Sequence, residues 1–404
     1  MEEWKEYKAR DFCSGVTDGT HDSPKPTNEG YYLITSKHLK DNLIDFSSAN
    51  LISEEDYLKV ITRSTVEQYD ILFSMIGTIG NVVQVRLRNV DFAVKNMGIF
   101  KMGRNELKSS WLYYWLKSNC AKEYINQRLA GSTQSYLTLE SLREFPLYYP
   151  GDKLADQIIS VLKSLDDKIE VNRQINDNLD QQAKTLFKSW FIDFEPFRDG
   201  EFVESEMGLI PSGWQVKELG EVTETQNTRV KDRTDVKVLS PVTTGELVLS
   251  EEYFSKQVFS ESIAKYIIVK PFDFAYNPAR VNIGSLGMNT FNFDGCVSPV
   301  YVVSRCESNY QYFFDLFRQT DYFKEEVKTR AIGGVRQTLG YKDFSLIKVV
   351  YPPKVVVEKF NKIYSTLLSK KAKNNVEITR LGELRDVLLP KLMSGELKVS
   401  EMNA

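Results

Sequence analysis

Two stretches of the chain carry a helical rhythm of apolar positions that the remainder lacks. Residues 153–193 contain no proline or glycine, and apolar side chains recur there every three or four positions. With Ile158 at position a of a heptad, a holds Ile158, Leu165, Asn172, Leu179 and Leu186, and d holds Leu162, Ile169, Asn176, Ala183 and Trp190. Residues 354–393 repeat the pattern, with Phe360, Leu367, Asn374, Leu381 and Leu388 at a, and Tyr364, Lys371, Ile378, Arg385 and Leu392 at d. Heptads sustained over this length predict two long helices that pair as a coiled coil, with Leu165, Asn172, Leu179, Leu367, Asn374 and Leu381 as pairing residues. Lys371 and Arg385 weaken the second stripe, Gly382 interrupts it, and Pro390 is expected to end or kink that helix. A polar residue at a core position fixes register at a cost in stability, so Asn172 and Asn374 are expected to face each other in the seam. Asp166-Asp167 falls on the outer side of the pattern and reads as a solvated charge pair.

The two helical stretches belong to a larger repeat. At a shift of 202 residues, Lys122-Glu123 meets Lys324-Glu325, Arg128 meets Arg330, Leu137 meets Leu339, and Tyr149-Pro150 meets Tyr351-Pro352. Further along, Leu165, Lys168, Asn172, Leu179 and Leu186 meet Leu367, Lys370, Asn374, Leu381 and Leu388. Ahead of each long helix lies a β-rich region. Tyr31–Thr35, Ile71–Met75, Asn81–Leu87 and Phe92–Phe100 read as strands in the first copy, as do Lys265–Val269 and Val297–Ser304 in the second. Helices are expected over Ser110–Arg128 and Tyr310–Arg330, and a polar, breaker-rich linker over 196–213. The fold class is therefore α+β, with two mixed α/β globes separated by two long helices pairing as an antiparallel coiled coil. The first globe takes residues 1–152, the first helical region 153–195, the linker and second globe 196–352, and the second helical region with its tail 353–404. Antiparallel pairing would relate the globes by a pseudo-twofold axis, which suits a target with two related halves. Duplex DNA is the commonest such target.

Composition narrows the function classes. With 404 residues, 42% hydrophobic and 26% charged, the chain reads as an ordinary globular protein of several domains, and no apolar run approaches a membrane span. The start, Met1-Glu2-Glu3-Trp4-Lys5, lacks the apolar core of a signal peptide, so a cytoplasmic setting is expected. Cys13, Cys120, Cys296 and Cys306 show no metal spacing. Histidine occurs only as His21 and His38, both in the first copy, and there is neither a phosphate-loop nor a dinucleotide fingerprint. No catalytic constellation is expected, and no bound metal or cofactor. The net charge of −3 sits awkwardly with nucleic-acid binding, so any positive field must be local.

Two small motifs recur. Ile76-Gly77-Thr78-Ile79-Gly80 is echoed by Ile283-Gly284-Ser285-Leu286-Gly287, a GxxG spacing that reads either as a structural turn or as a backbone contact to phosphate. A glycine-punctuated polar loop follows each short helix, with Arg128, Gln134 and Ser135 in one copy and Arg330, Arg336 and Gln337 in the other. Arginine, glutamine and serine suit base edges and phosphates. Lys37, Arg86, Arg229 and Arg280 complete the candidate DNA-binding set.

The chain resembles the specificity subunits of type I restriction–modification systems. The resemblance rests on Gly19-Thr20-His21 followed by Tyr32-Leu33-Ile34-Thr35-Ser36-Lys37-His38-Leu39, on Phe194-Glu195-Pro196-Phe197 leading to Gly208-Leu209-Ile210-Pro211-Ser212-Gly213-Trp214, and on the tail Leu388-Leu389-Pro390-Lys391-Leu392-Met393-Ser394-Gly395-Glu396-Leu397. It implies that the globes are target-recognition domains reading a bipartite site in double-stranded DNA. It also implies a non-catalytic chain that binds two methyltransferase subunits, with restriction subunits joining them. S-adenosylmethionine, ATP and Mg would then sit on those partners. The exposed helix faces and the apolar Trp190-Phe191 end are expected to dock the methyltransferases. The competing readings are a non-DNA-binding coiled-coil adaptor and a self-contained DNA methyltransferase. The latter needs an Asn-Pro-Pro-aromatic motif that Tyr276-Asn277-Pro278-Ala279 does not supply.

Overall fold

Both apolar repeats form single helices of 40 residues in a computed structural model, which describes residues 4–40, 42–130, 135–254, 256–331 and 338–400. The chain divides into two units, Met1–Arg173 with Asn375–Ala404 and Gln174–Asn374. Each unit thus contains one globe together with part of each long helix.

In the first unit the strands are β1 (Lys5–Lys8), β2 (Gly15–Asp18), β3 (Tyr31–Ile34), β4 (Leu39–Lys40), β5 (Leu43–Ile44), β6 (Asn50–Ile52), β7 (Ile71–Ser74), β8 (Val82–Gln84), β9 (Phe92–Val94), β10 (Met97–Lys101) and β11 (Pro146–Tyr149). The helices are α1 (Ala9–Phe12), α2 (Glu54–Ser64), α3 (Glu106–Lys117), α4 (Asn119–Gln127) and α5 (Leu139–Arg143), and α6 (Asp152–Phe191) leaves the unit. One antiparallel sheet runs β2-β10-β7-β8. A second runs β6-β3-β9, with β3 parallel to β9, and β1 pairs with β11.

The second unit holds β12 (Phe202–Ser205), β13 (Gly208–Pro211), β14 (Gln215–Glu218), β15 (Thr223–Thr225), β16 (Lys237–Pro241), β17 (Leu247–Leu249), β18 (Ile267–Val269), β19 (Phe274–Tyr276), β20 (Leu286–Met288), β21 (Gly295–Val297), β22 (Val302–Cys306) and β23 (Lys348–Tyr351). Its helices are α7 (Leu219–Val222), α8 (Ser250–Tyr253), α9 (Gln311–Phe317), α10 (Asp321–Arg330) and α11 (Tyr341–Phe344), and α12 (Lys354–Met393) leads back to the first unit. Three sheets of the first unit recur here with the same strand order. An antiparallel β15-β22-β19-β20 sheet matches β2-β10-β7-β8. A β17-β16-β21 sheet, again with its parallel pair in the same place, matches β6-β3-β9 and gains β18 at one edge. β14 pairs with β23 as β1 does with β11. The sequence repeat, recognisable only from Trp111 onward, therefore extends through the globes as topology.

Several expected elements are subdivided. The run Phe92–Phe100 breaks into β9 and β10 at Asn96, whose φ of 53° lies in the left-handed region. Val297–Ser304 likewise divides between β21 and β22. The helix expected over Ser110–Arg128 breaks at Ser118, whose hydroxyl accepts from the Ala121 amide and caps α4. Thr320 caps α10 in the same way. Pro390 does not end α12, which continues to Met393; a proline this near the terminus removes only one bond of the last turns.

Each globe closes its core on the helices. In the first unit Ala155, Ile158, Ile159 and Leu162 of α6 and Leu389, Leu392 and Met393 of α12 share one core with Trp111, Leu112 and Leu142. The Trp111 and Trp115 indoles donate to the Tyr148 and Pro146 carbonyls, fixing α3 on β11. In the second unit Ala183, Phe187 and Phe191 of α6 meet Val357, Phe360 and Tyr364 of α12 around Phe313. Trp190-Phe191 is thus not an exposed docking end. Phe191 is buried against Phe360, Phe313 and Trp214, and Trp190 packs on Phe360 and Phe197.

The helix segments within each unit run antiparallel. In the first unit Asp166 meets Arg385 and Lys168 approaches Glu377; in the second Asn176 meets Asn374 and Asp180 meets Lys371. Asn172 and Leu179 are buried, while Leu165, Leu367, Asn374 and Leu381 are half-buried. The two asparagines do not bond to each other. Asn172 donates to Glu377 and Asn374 donates to the side-chain carbonyl of Asn176, because an antiparallel register sets each opposite a residue other than its counterpart in the repeat. Asp166-Asp167 is no solvated pair either. Asp166 is buried, accepting from Tyr114 and from Arg385, and Asp167 pairs with Arg86.

Phe360 has no exposed surface and touches Phe187, Trp190, Phe191 and Tyr364. Its replacement by alanine is expected to cost about 3–5 kcal/mol, read as a lowered denaturation midpoint.

Candidate nucleic-acid interface

The two motifs that recur in the sequence meet in space in each unit. In the first, the turn between β7 and β8 carries Ile76–Gly80, and the segment after α4 folds back onto it. Ala130 and Tyr136 exchange backbone hydrogen bonds of 2.9 and 2.8 Å, closing the polar loop at its neck. The Leu137 amide then donates to the Met75 carbonyl at 2.9 Å, and Ile76 bridges to Tyr136. In the second unit the Leu339 amide donates to the Pro278 carbonyl at 3.0 Å, tying the corresponding loop to the connection between β19 and β20. Leu137 and Leu339, paired by the repeat, are thus the same anchor; both are buried.

A third segment joins them. Ser36, in the short 3-10 turn after β3, lies beside Gly77, and Thr243, after β16, lies beside Gly284. Gly77 has φ of +81° and Gly284 has φ of +96°, both in the left-handed region. A side chain on Gly284 would meet the Thr243 carbonyl oxygen at 2.6 Å. The echoed glycines diverge after that point. Gly80 has φ of +93° and stays in the turn, whereas Gly287 sits within β20 opposite Ala275.

The turns differ in what they offer a ligand. Among the described residues, the exposed amides of Gly77 and Thr78 find no acceptor within the protein, while Ser74 holds the turn by donating to Thr78 and accepting from Asn81. In the second unit the turn satisfies itself. Arg280 donates to Asn277, and Ile283 and Ser285 donate to Arg280, leaving the exposed Arg280 side chain near its apex.

The other candidate residues separate into two groups. Lys37 is exposed next to Ser36, and exposed Arg128 lies over the Tyr124 ring at 3.9 Å. Ser135 is exposed beside the loop neck. Arg86 and Arg330 are not brought to these turns as open cations: Arg86 bonds Gln84 and Asp167, and Arg330 bonds Glu326 at 2.9 Å. Arg229 donates to the Lys265 carbonyl at 2.7 Å beside β18. Gln134, Arg336 and Gln337 lie outside the described residues.

Little here supports bond-making chemistry. Burial pushes the thiols of Cys13, Cys296 and Cys306 up to about 12, which keeps them protonated. His38 is buried, its Nδ1 accepts from the Thr35 amide, and burial lowers its pKa. His21 is bound to Asp18 and Asn96, and Asp18 in turn accepts from Arg63. Among the described residues no group of acids, histidines or cysteines could hold a metal ion, and no helix is long and apolar enough to cross a membrane.

Sequence reasoning missed Ser36 and Thr243 as turn neighbours, and an apolar stripe on α12. In the first unit Val376, Leu384 and Val387 are exposed on one face of that helix, among Arg380 and Lys391. Their spacing of eight and then three residues was present in the sequence, hidden beside the stronger seam pattern.

Each of the two units thus presents a glycine turn beside an anchored segment. Residues 1–181 match the family described as type I restriction modification DNA specificity domain. The chain is 28% identical to the specificity subunit of the type I restriction enzyme MjaIX of Methanocaldococcus jannaschii, over 73% of this chain and 70% of that protein. It is 24% identical to the HindI specificity subunit of Haemophilus influenzae, over 98% and 100%. In fold it resembles the type I restriction–modification S subunit from M. genitalium, with a TM-score of 0.53 at 16% identity over 96% of both chains. Residues 1–181 thus carry the match to a type I specificity domain, and the chain over most of its length is similar to specificity subunits of type I restriction enzymes.

Gly284→Ala is expected to cost about 1–3 kcal/mol, since it combines a left-handed φ with a backbone clash. Gly77→Ala has open space and should cost closer to about 1 kcal/mol. Thermal melts of the two variants check the order.

Proposed function

We propose that this chain is the DNA-recognition subunit of its system, each globe reading one half of a bipartite duplex target while the long helices hold two methyltransferase subunits. The observation that carries this is the repetition: the two globes share strand order, loop anchor and turn glycine, yet present different groups there, open amides in one and Arg280 in the other. A shared frame with unlike reading surfaces is what two unlike half-sites require. Phosphate contacts position such a surface and base contacts specify it. The Gly77 and Thr78 amides, Lys37 and Arg128 suit the former, and the polar loops suit the latter.

The scaffold role draws on the exposed faces of the helices, including the Val376, Leu384 and Val387 stripe. S-adenosylmethionine, ATP and Mg belong in this reading to partner methyltransferase and restriction subunits, and the setting is the cytoplasm.

The test is methylome sequencing of cells carrying the chain with its methyltransferase, against cells lacking only the chain. A methylated motif of two short halves and an unspecified gap, lost on deletion, is the expected result; unchanged methylation with all subunits present would reject the reading. In vitro, Lys37→Ala with Arg128→Ala should weaken duplex binding across sequences and reduce the salt slope by roughly one per lost phosphate contact. A pure coiled-coil adaptor would show no salt-dependent affinity at all.

A further inference from the structure

One layer of the helix seam is ionic in the first unit and apolar in the second. Asp166 of α6 is buried, accepts from the Tyr114 hydroxyl at 3.0 Å, and accepts from Arg385 of α12 at 2.7 Å. The Arg385 side chain is only 18% exposed and also reaches Asp386. The shift of 202 places Leu368 at the position of Asp166, Leu316 at that of Tyr114, and Ala183 at that of Arg385. All three counterparts belong to the apolar core of the second unit or pack against it, and they line one recess there. An ion pair with its hydrogen-bonding tyrosine has been exchanged for three apolar side chains.

The consequence concerns which helix can pair with which. Because Ala183 and Arg385 are equivalent in the repeat, an α6 paired with the α6 of another copy would set Asp166 and Tyr114 against Ala183. The buried carboxylate would lose Arg385, the cation bonded to it. An α12 paired with another α12 would set Arg385 against Leu316 and Leu368, where the neighbouring Asp315 is already matched by Arg318. A buried charge that loses its partner is strongly penalised, whereas an apolar layer accepts many neighbours. The other seam pairs discriminate less. Lys371 and Asp180 are partly exposed, and the 3.8 Å Lys168–Glu377 approach has the opposite polarity and is half exposed on both sides.

We propose that the Asp166–Tyr114–Arg385 layer is a pairing lock, which admits an α12 opposite α6 and excludes a second copy of the same helix. Its partner is the complementary helix of this chain, and the excluded occupant is the like half of another copy. The lock keeps two unlike globes in one assembly, so the target read stays asymmetric; that last consequence rests on the function proposed above, whereas the pairing does not.

Full-length charge reversals test it. D166R and R385D each put like charges in the layer, and D166R/R385D restores an opposite pair. Each single variant is expected to melt roughly 10 °C below wild type, with the double variant recovering most of the loss. Mixed one to one, the single variants should form a complex of one copy of each, because each α6 then meets an opposite charge on the other chain's α12. Differential tags and light scattering read this out, independently of DNA. Single variants that melt with wild type would overturn the proposal. So would mixed variants that stay separate while the double variant regains its melt, since the layer would then stabilise without selecting. Should the reversals fail to fold, the graft D166L/Y114L/R385A copies the second unit's layer. It is expected to fold and to self-associate with rising concentration where wild type does not; a mass matching wild type throughout would equally overturn the lock.

Discussion

The largest core of each globe is completed by the long helices. The first core contains one end of α6 and the opposite end of α12, and the second contains the remaining ends. An amphipathic helix gains most of its stability from burying its stripe against tertiary structure, not from propensity. Here that burial joins residues far apart in sequence, such as Ile158 with Leu392 in the first core and Phe187 with Phe360 in the second. The register of the seam therefore decides the packing of the globes: a slip would displace Leu392 or Phe360 from the core each completes. Asn172 on Glu377, Asn176 with Asn374, and Asp166 with Arg385 each require one register, so the polar pairs define the positions at which the apolar ends insert.

With the frame held in this way, the recognition surface can vary without cost to the core. Leu137 and Leu339 each tie the segment after the polar loop to the neighbouring turn by a backbone hydrogen bond, and both are buried. The turn glycines do the complementary job. Gly284 lets the β19–β20 connection lie against Thr243, and Gly77 does the same more loosely against Ser36. Two backbone contacts and one left-handed residue thus fix where the loop and turn meet, leaving side chains free to differ between the copies.

Periodicity made the helices legible to within a residue or two, because forty residues sample the 3.6-residue repeat many times. The shift of 202 residues, a separate signal, matched Leu137 with Leu339. It could not reveal that the globes share a topology, since strands of three to five residues carry too little pattern and a fold tolerates almost any apolar residue on a buried face. Side-chain partnership was equally hidden. Asp166 looked outward on a heptad of fixed period, but an α-helix drifts against that period, and near the globe the buried row passes through Asp166 instead of Leu165. Trp190-Phe191 was read as a docking end because nothing local announces Phe313, Trp214 and Phe360 as its neighbours.

The same partnerships resolve the tension between a net charge of −3 and a nucleic-acid ligand. Counting cations along the chain gives a misleading field, because many are neutralised where they stand. Arg86 is matched by Asp167, Arg330 by Glu326, Arg233 by Asp235 and Asp294, Arg305 by Asp273, and Arg318 by Asp315. Paired charges at these separations look to a distant phosphate like dipoles, which fall off much faster than a free charge and are screened within about 8–10 Å. Among the described residues, Lys37, Arg128 and Arg280 have no carboxylate partner, and all three lie beside the turns and loop necks. The field that a ligand would feel is the unpaired remainder, to which Lys37, Arg128 and Arg280 contribute beside the turns and loop necks.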